Sequence, residues 1–362
     1  MKKFKMIPSA MMALVFAFTI PMFSTVAAQS ATPEASPIAS PAATPKVYDK
    51  TGWPKELDCG LFGGADAASA LTGAQPIADY LESYLGIPMK YEVGTSYNAV
   101  IESMASNHTN CGTVGPFSYI LAVQEAGAEA LAVQVTPGTA SGVTAVYDPT
   151  AAPSYYSVIS VKKKSGIRTL PELKGKTLSF VDPASTSGYL IPSSELQSAG
   201  LDPKKDLKTV FAGDHPTSVY ALWNDKVDAA ASTEDTLVNL AAEGQIDYCG
   251  FKDGIIGKVR TQDEINALWD SCPDGSIVPI LYSAPIPNTP FAVSKNLPES
   301  LKQAITDALV SIKDNPELVA KIGYWYVDPT QTDPSLKNVD ALYDPLREIA
   351  KQLNLDLKSF GN

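Results

Sequence analysis

The sequence is poor in the residues and motifs on which most enzymes depend. It has two histidines and four cysteines in 362 residues. It contains no G-x-S-x-G elbow, H-E-x-x-H pair, phosphate-binding P-loop or dinucleotide-binding glycine fingerprint. No C-x-x-C pair occurs, and His215 is far from any cysteine along the chain, which disfavours a metal site. We therefore expect no enzymatic activity, no cofactor and no metal.

Charged residues are also scarce, and positive charge is the scarcer sign. Only 19% of residues are charged, and 28 Lys and Arg against 39 Asp and Glu give a formal net charge of −11 at pH 7. Such an acidic body repels nucleic acids and anionic membrane surfaces, so we expect no nucleic-acid partner. If the ligand is itself an anion, local dipoles must attract it against the overall field.

Long apolar runs are missing except at the start of the chain. There, Lys2, Lys3 and Lys5 precede an apolar stretch that ends in the small residues Ala27 and Ala28, the pattern of a secretory signal. We predict that residues 1–28 are a cleaved signal peptide and that the protein is periplasmic or extracellular. The alternative is a retained membrane anchor. No cysteine lies near the cleavage site, so a lipoprotein route has no support.

Residues 29–46 are rich in Pro, Ala, Ser and Thr and have no apolar periodicity. This composition predicts an extended, mobile linker, with the folded part beginning near Val47.

The four cysteines are an even number in a chain predicted to be exported, which favours two disulfides. Three connectivities are possible. We predict the pairs Cys59 with Cys111 and Cys249 with Cys272, because the first joins two segments that look like buried strands and the second closes a short loop. A metal site is the rival interpretation.

The rest of the chain, 45% of which is hydrophobic overall, is long enough for two lobes. Short apolar runs alternate with helical stretches, which is typical of parallel sheets with crossover helices. We predict an α/β fold of two doubly wound lobes with a helical C-terminal segment: lobe I comprises 47–158 and 288–362, and lobe II comprises 159–287. Two crossing segments, around 157–162 and 280–291, would join the lobes and leave a cleft that closes on a hinge.

Several segments in fixed order resemble one known family. YEVGTSYNAVIESM, CGTVGPFSYILA, FVDPASTSGYLIPSSEL, FAGDHPTSVYAL and VDAAASTEDTL together are similar to the phosphate, phosphite and phosphonate substrate-binding proteins of ABC importers. These proteins have the type II periplasmic binding protein fold. The resemblance covers roughly residues 57–297, and the STSG segment followed by D-H-P is its most distinctive part.

The residues Ser185, Thr186 and Ser187 lie between a predicted strand and a predicted helix beginning near Gly188. Unpaired backbone N–H groups converge at a helix start, and hydroxyls beside them add donors, so a tetrahedral anion can be held without a cationic side chain. Gly188 would allow the backbone to approach the ligand. The alternative is an ordinary helix cap, although one cap needs only one hydroxyl.

The resemblance implies further ligand contacts on other segments. Tyr97 and Tyr119 match tyrosines that the family uses as ligand contacts; the alternative for both is packing within the lobe. His215, in the D-H-P segment, would face the cleft and donate to an anion as a protonated imidazole. Asp235 matches the family's cleft acid and would select a protonated monoanion or an amino-alkyl phosphonate; the alternative is an exposed carboxylate at a helix start. His108 is expected to be solvated.

We therefore interpret the chain as a monomeric solute-binding protein that captures phosphite, phosphonate or phosphate and presents its closed form to the transmembrane subunits of an ABC permease. One alternative is a binder of another anion, such as a sulfonate or a carboxylate. A second is an enzyme of the pyrimidine-precursor synthase type on the same fold, and a third is a sensor that contacts a kinase instead of a permease. A Ser185, His215 and Asp235 triad can be drawn, but donors to an anion account for the same residues.

Overall fold

The computed structural model describes residues 46–64, 66–137, 144–250 and 260–357. The chain divides into a unit of Met1–Val47 and a unit of Tyr48–Asn362, and the fold described below belongs to the second. The predicted signal peptide and all but the last residue of the predicted linker lie outside the described residues. Within the described ranges, no helix has both the length and the apolar character needed to cross a bilayer.

The strands and helices follow one another in the alternation that the sequence predicts. The strands within the described ranges are β1 (Leu57–Phe62), β2 (Met89–Gly94), β3 (Cys111–Thr113), β4 (Ala128–Val135), β5 (Ser154–Tyr155), β6 (Ser157–Lys162), β7 (Thr177–Phe180), β8 (Lys208–Phe211), β9 (Ala229–Thr233), β10 (Ile277–Tyr282), β11 (Ile286–Pro287), β12 (Pro290–Ser294) and β13 (Trp325–Val327). The α-helices are α1 (Ala67–Leu85), α2 (Tyr97–Ala105), α3 (Pro116–Ala126), α4 (Ile191–Ser198), α5 (His215–Trp223), α6 (Glu234–Ala242), α7 (Gln262–Ser271), α8 (Glu299–Ser311), α9 (Pro316–Ile322) and α10 (Asp344–Gln352).

The described strands form two main sheets. The first has the order β13-β4-β12-β3-β1-β2 and the second has the order β10-β6-β9-β7-β8. In each, three neighbouring strands pair parallel, β1 with β2 and β3 in the first sheet and β7 with β8 and β9 in the second. The antiparallel pairs are those of β12 with β3 and β4, of β13 with β4, and of β6 with β9 and β10. Helices cover both faces of the first sheet, which is why its central strands read as continuous apolar runs.

Buried clusters lie on the faces of the first sheet. One contains Leu81 of α1, Ile305 of α8 and Trp325 of β13, and the other contains Val100 of α2 and Phe117 of α3. Two further clusters belong to the second sheet. The apolar stripe of α1, whose buried residues recur with helical spacing, packs into the first of these clusters.

The chain passes between the sheets twice, and the short strands β5 and β11 pair antiparallel in these crossings. The sequence places one crossing at 157–162, but in the structure these residues are β6, whose six residues are all buried between β10 and β9. The apolar run at 142–148 forms no strand at 144–148, and residues 142 and 143 lie outside the described ranges.

Both predicted disulfides, Cys59–Cys111 and Cys249–Cys272, are confirmed. Cys59 and Cys111 lie opposite each other on the neighbouring parallel strands β1 and β3. The second pair joins the segment after α6 to the C-terminal end of α7.

Candidate functional site

A cavity of about 440 Å³ lies between the carboxyl ends of the parallel strands of both sheets. This is the edge at which ligands of open α/β sheets bind, because the loops that follow the strands converge there. The first sheet contributes the segments after β1 and β3 and the start of α2, and the second contributes the segments after β7, β8 and β9. The end of β4 with the residues that follow it, the crossing strand β5 and the segment just after β11 complete the lining.

The structure brings most of the predicted site residues together around this cavity. Those that line it are Tyr97, Ser185, Thr186, Ser187, His215 and Asp235. They come from four separate segments of the chain.

Tyr119 does not line the cavity, so the expectation of a ligand contact from this residue is not met. Its side chain is fully buried in the core of the first sheet. The hydroxyl donates to Asp340 Oδ1 at 2.7 Å and accepts from the backbone N–H of Ala130 at 3.2 Å, and the ring packs against Tyr343. The structure therefore supports the packing alternative, since the helical turn of α3 directs Tyr119 away from the interface with the second sheet.

The turn after β7 has the geometry of a helix start. Asp182 tightens it, because its carbonyl accepts from the N–H of Ser185 at 2.9 Å and its Oδ1 accepts from the N–H of Ala184 at 2.7 Å. Ser185 is extended and caps the π-helical turn Thr186–Leu190, accepting from the N–H of Gly188 at 3.0 Å. This turn continues into α4. The N–H groups of Thr186 and Ser187 therefore belong to a first turn that offers them no intrahelical acceptor.

Gly188 has a different role from the one that its position in the sequence indicates. A Cβ at this position would lie 2.4 Å from Cβ and Cγ2 of Val181 and 2.8 Å from Oγ of Ser185. The N–H of Val181 also donates to the Gly188 carbonyl at 3.0 Å. The missing side chain therefore allows the turn to pack against the end of the preceding strand, rather than against a ligand.

Two tyrosine phenols lie close to the three hydroxyl residues, Tyr97 near Ser185 and Tyr155 near Thr186 and Ser187. Burial raises the pKa of Tyr97, and it raises that of Tyr155 to about 12, so both phenols keep their protons at neutral pH. Each tyrosine can then donate its own proton into the cavity.

His215 begins α5 and lines the cavity. Burial lowers its pKa to about 4, although the nearby carboxylates of Asp235 and Asp214 act in the opposite direction. The imidazole is therefore neutral at pH 7 in the ligand-free protein, which corrects the expectation of a protonated ring. Its Nδ1 is buried and has no hydrogen-bond partner among the described residues. A neutral imidazole still carries one N–H donor, and an unmatched polar atom at a cavity indicates a ligand partner.

Carboxylates line the cavity opposite these donors. Asp214, Glu234 and Asp235 all border it, and among the described lining residues there is no Lys or Arg. Asp214 caps α5 by accepting from the N–H of Thr217 at 2.7 Å. In the part of the chain that is described, no group of three His, Cys, Asp or Glu residues could hold a metal ion.

Sequence reasoning missed several lining residues. Tyr155 lies in an apolar run without a ligand motif, and Gln134, Thr136 and Asn288 carry no local motif. For Gly64 the sequence did contain an indication of a special position, the Gly-Gly pair after the first strand. It has a left-handed φ of +59°, and a Cβ there would lie 3.1 Å from Cβ of Asp214, so its small size allows the two sheets' loops to approach each other.

His108, the second histidine, lies far from the cavity lining. It is exposed, and its Nε2 is 2.9 Å from Oε2 of Glu92.

Comparison with known proteins agrees with this architecture. The chain is 27% identical over 279 residues to the phosphonates-binding periplasmic protein of Escherichia coli K12, covering 76% of this chain and 70% of that protein. It is 27% identical over 222 residues to the phosphate-import protein PhnD of Mycolicibacterium smegmatis, where the match spans 59% of this chain and 65% of that protein, just under two thirds of its length.

Solved structures show the same fold. PhnD1 from Prochlorococcus marinus in complex with methylphosphonate matches with a TM-score of 0.59 at 17% identity, covering 83% of this chain and 98% of that one. The type II periplasmic binding protein fold that the sequence resemblance implies is thereby confirmed. The model of a family described as ABC transporter, phosphonate, periplasmic substrate-binding protein matches residues 62–333. The chain belongs to this family of phosphonate-binding periplasmic proteins of ABC transporters.

Proposed function

We propose that this protein captures a small phosphorus oxyanion, a phosphonate, phosphite or phosphate, in the cavity and delivers it to the transmembrane subunits of an ABC importer. The observation that carries the proposal is the turn after β7, whose first-turn N–H groups and neighbouring hydroxyls border a cavity without Lys or Arg among its described lining residues. A helix start of this kind attracts an anion by partial charges and oriented N–H groups.

The oxyanion would be held by neutral donors on three sides. The N–H groups of Thr186 and Ser187 meet it from the helix start, and the phenols of Tyr97 and Tyr155 donate from the first sheet and from the crossing strand. His215 contributes one imidazole N–H. Hydrogen bonds from neutral donors to a charged acceptor each contribute about 1.5 to 3 kcal/mol, so a few of them suffice for tight binding.

The carboxylates would decide which oxyanion binds. Asp235 is close enough to His215 and Tyr155 to act on the pKa of each. A carboxylate facing a phosphorus oxygen is repulsive unless that oxygen carries a proton or the ligand carries a cationic tail. We infer that Asp235 selects either a monoprotonated oxyanion or an amino-alkyl phosphonate, and a cavity of about 440 Å³ leaves space for an organic substituent.

Binding would close two lobes, comprising 47–158 with 288–362 and 159–287, about the paired crossing strands β5 and β11. A permease can recognise the loaded protein only if the ligand binds the closed form better than the open one. On this proposal the protein is a monomeric carrier and not an enzyme, exported by a signal peptide at residues 1–28.

Competition calorimetry tests the proposal. Purified protein is titrated with methylphosphonate, 2-aminoethylphosphonate, phosphite, phosphate and taurine. We expect at least one phosphorus compound to bind far more tightly than taurine. Tighter binding of taurine, or no binding of any phosphorus compound, would contradict the proposal. Any ligand must also be recovered unchanged, because turnover would indicate an enzyme.

A variant tests whether Asp235 selects between ligands. Asp235→Asn removes the negative charge but keeps the size of the side chain, so we expect it to change the ranking of 2-aminoethylphosphonate against phosphate. Asp263→Asn, on the exposed start of α7, is the matched control and should leave the ranking as it is. The same ranking in Asp235→Asn and in the original protein would remove the selector role.

A further inference from the structure

The two halves of the proposed cleft are joined directly by hydrogen bonds that involve no ligand. The N–H of Phe117, in the first turn of α3, donates to Oγ1 of Thr186 at 2.7 Å. Next to it, Oγ of Ser118 donates to the carbonyl of Ala184 at 2.7 Å. All four residues are at most 2% exposed. Separating the two halves at this buried contact has to break both bonds.

Apolar packing surrounds these bonds. Ala184, Leu190 and Ile191, from the second half, belong to the same buried cluster as Phe117 and Ile120 of α3. At Gly115, a Cβ would lie 3.4 Å from Oγ1 of Thr186, so the loop before α3 also contacts the turn closely. The contact is thus a dry interface between α3 and the turn after β7, with the two hydrogen bonds inside it.

Within the turn, Thr186 is held directly by α3, because its Oγ1 accepts from the N–H of Phe117. Ser185 Oγ accepts instead from the N–H of Gly188 in its own turn.

We propose that Thr186 and Ser118 are positioning residues that hold the two lobes closed in the absence of ligand. This proposal rests on the proposed function in one respect, namely that the cavity is a cleft that can open. The bonds favour the closed form before any ligand arrives, so they lower the cost of closure that the ligand must offset.

Ser118→Ala is the sharpest test, because Ser118 does not line the cavity and cannot contact a ligand there. Spin labels are placed on exposed positions, one in each lobe, and distances are measured by double electron–electron resonance without ligand. We expect the ratio of closed to open molecules to fall about threefold to tenfold, the effect of one hydrogen bond. Ser160→Ala is the matched control, since Ser160 is equally buried in β6 and its Oγ has no partner among the described residues.

Thr186→Val and Thr186→Ser separate closure from ligand contact. Valine keeps the shape but loses the acceptor for Phe117, whereas serine keeps the acceptor. We expect Thr186→Val to lower the ligand-free closed fraction as Ser118→Ala does, and Thr186→Ser to retain it. A closed fraction that is unchanged in both Thr186→Val and Ser118→Ala overturns the proposal, even if Thr186→Val weakens binding.

The distance measurement needs no knowledge of the ligand. If no phosphorus compound binds but Ser118→Ala still lowers the closed fraction, the proposed function fails and the closure contact stands. If methylphosphonate binds but neither variant changes the closed fraction, the closure contact fails and the proposed function stands. Circular dichroism of each variant confirms that it is folded.

Discussion

At the scale of single residues, the histidine at the cavity shows how burial determines which protons are available. His215 is surrounded by two carboxylates, which favour its charged form, yet burial lowers its pKa to about 4. The neutral ring suits a site that must bind an anion with donors alone, because a fixed positive charge would also attract chloride and other common anions. On the proposed function, an entering oxyanion supplies the partner that Nδ1 lacks.

This shift predicts a particular pH dependence of stability. The folded pKa of about 4 lies below the ordinary value of 6.5, so the unfolded chain binds more protons between these two pH values. The free energy of unfolding of the ligand-free protein therefore decreases as pH falls from about 6.5 to about 4, by up to about 3 kcal/mol from this group. His215→Gln should abolish that part of the decrease, as measured by urea unfolding at pH 7 and pH 5.

The second histidine provides the control. His108→Gln changes an exposed side chain and should keep the original dependence on pH. An equal loss of stability on acidification in His215→Gln and in the original protein would show that His215 is not buried as a neutral ring.

At the scale of elements, the turn after β7 depends on local packing as well as on its hydroxyls. Its shape is fixed by Asp182 on one side and by the contact of Gly188 with Val181 on the other. Since the N–H groups of Thr186 and Ser187 are backbone groups, their direction follows from this shape. A change in the turn therefore alters the proposed oxyanion site without removing any donor.

Gly188→Ala tests this dependence. The added Cβ would lie 2.4 Å from Val181, so the turn must shift, and we expect a loss of about 1 to 3 kcal/mol in the free energy of unfolding together with weaker binding of methylphosphonate. Gly73→Ala is the matched control. It makes the same change inside α1 where no atom lies within 4 Å, and it should be neutral or stabilising by up to about 1 kcal/mol. Unaltered stability and binding in Gly188→Ala would contradict the packing role.

The elements themselves were largely predictable, because their signals are local. Continuous apolar runs indicated the parallel strands, and the STSG, D-H-P and TEDT segments indicated the three loops of the second sheet that line the cavity. Tyr119 was misplaced because a position one turn into a helix does not reveal which face points to the cleft. Tyr155 and the Phe117–Thr186 bond escaped notice since both depend on segments distant in the sequence that meet only in the fold.

At the scale of the whole molecule, the central question is how a negatively charged protein can bind an anion at the proposed site. The chain carries a formal charge of −11, and the described cavity lining adds carboxylates without Lys or Arg. On the proposed function, an anion therefore enters against the mean field and is retained by short-range donors after the lobes close and exclude water. The strength of these donors increases as water leaves, because the local dielectric constant falls.

A crystal structure of the protein, determined from crystals grown with methylphosphonate, would test most directly the central claim that neutral donors hold the anion. We predict that phosphonate oxygens lie within hydrogen-bonding distance of the N–H groups of Thr186 and Ser187, with the phenols of Tyr97 and Tyr155 donating from the other side. A phosphonate bound elsewhere, or one neutralised by a Lys or Arg side chain while that turn contacts only solvent, would contradict the account.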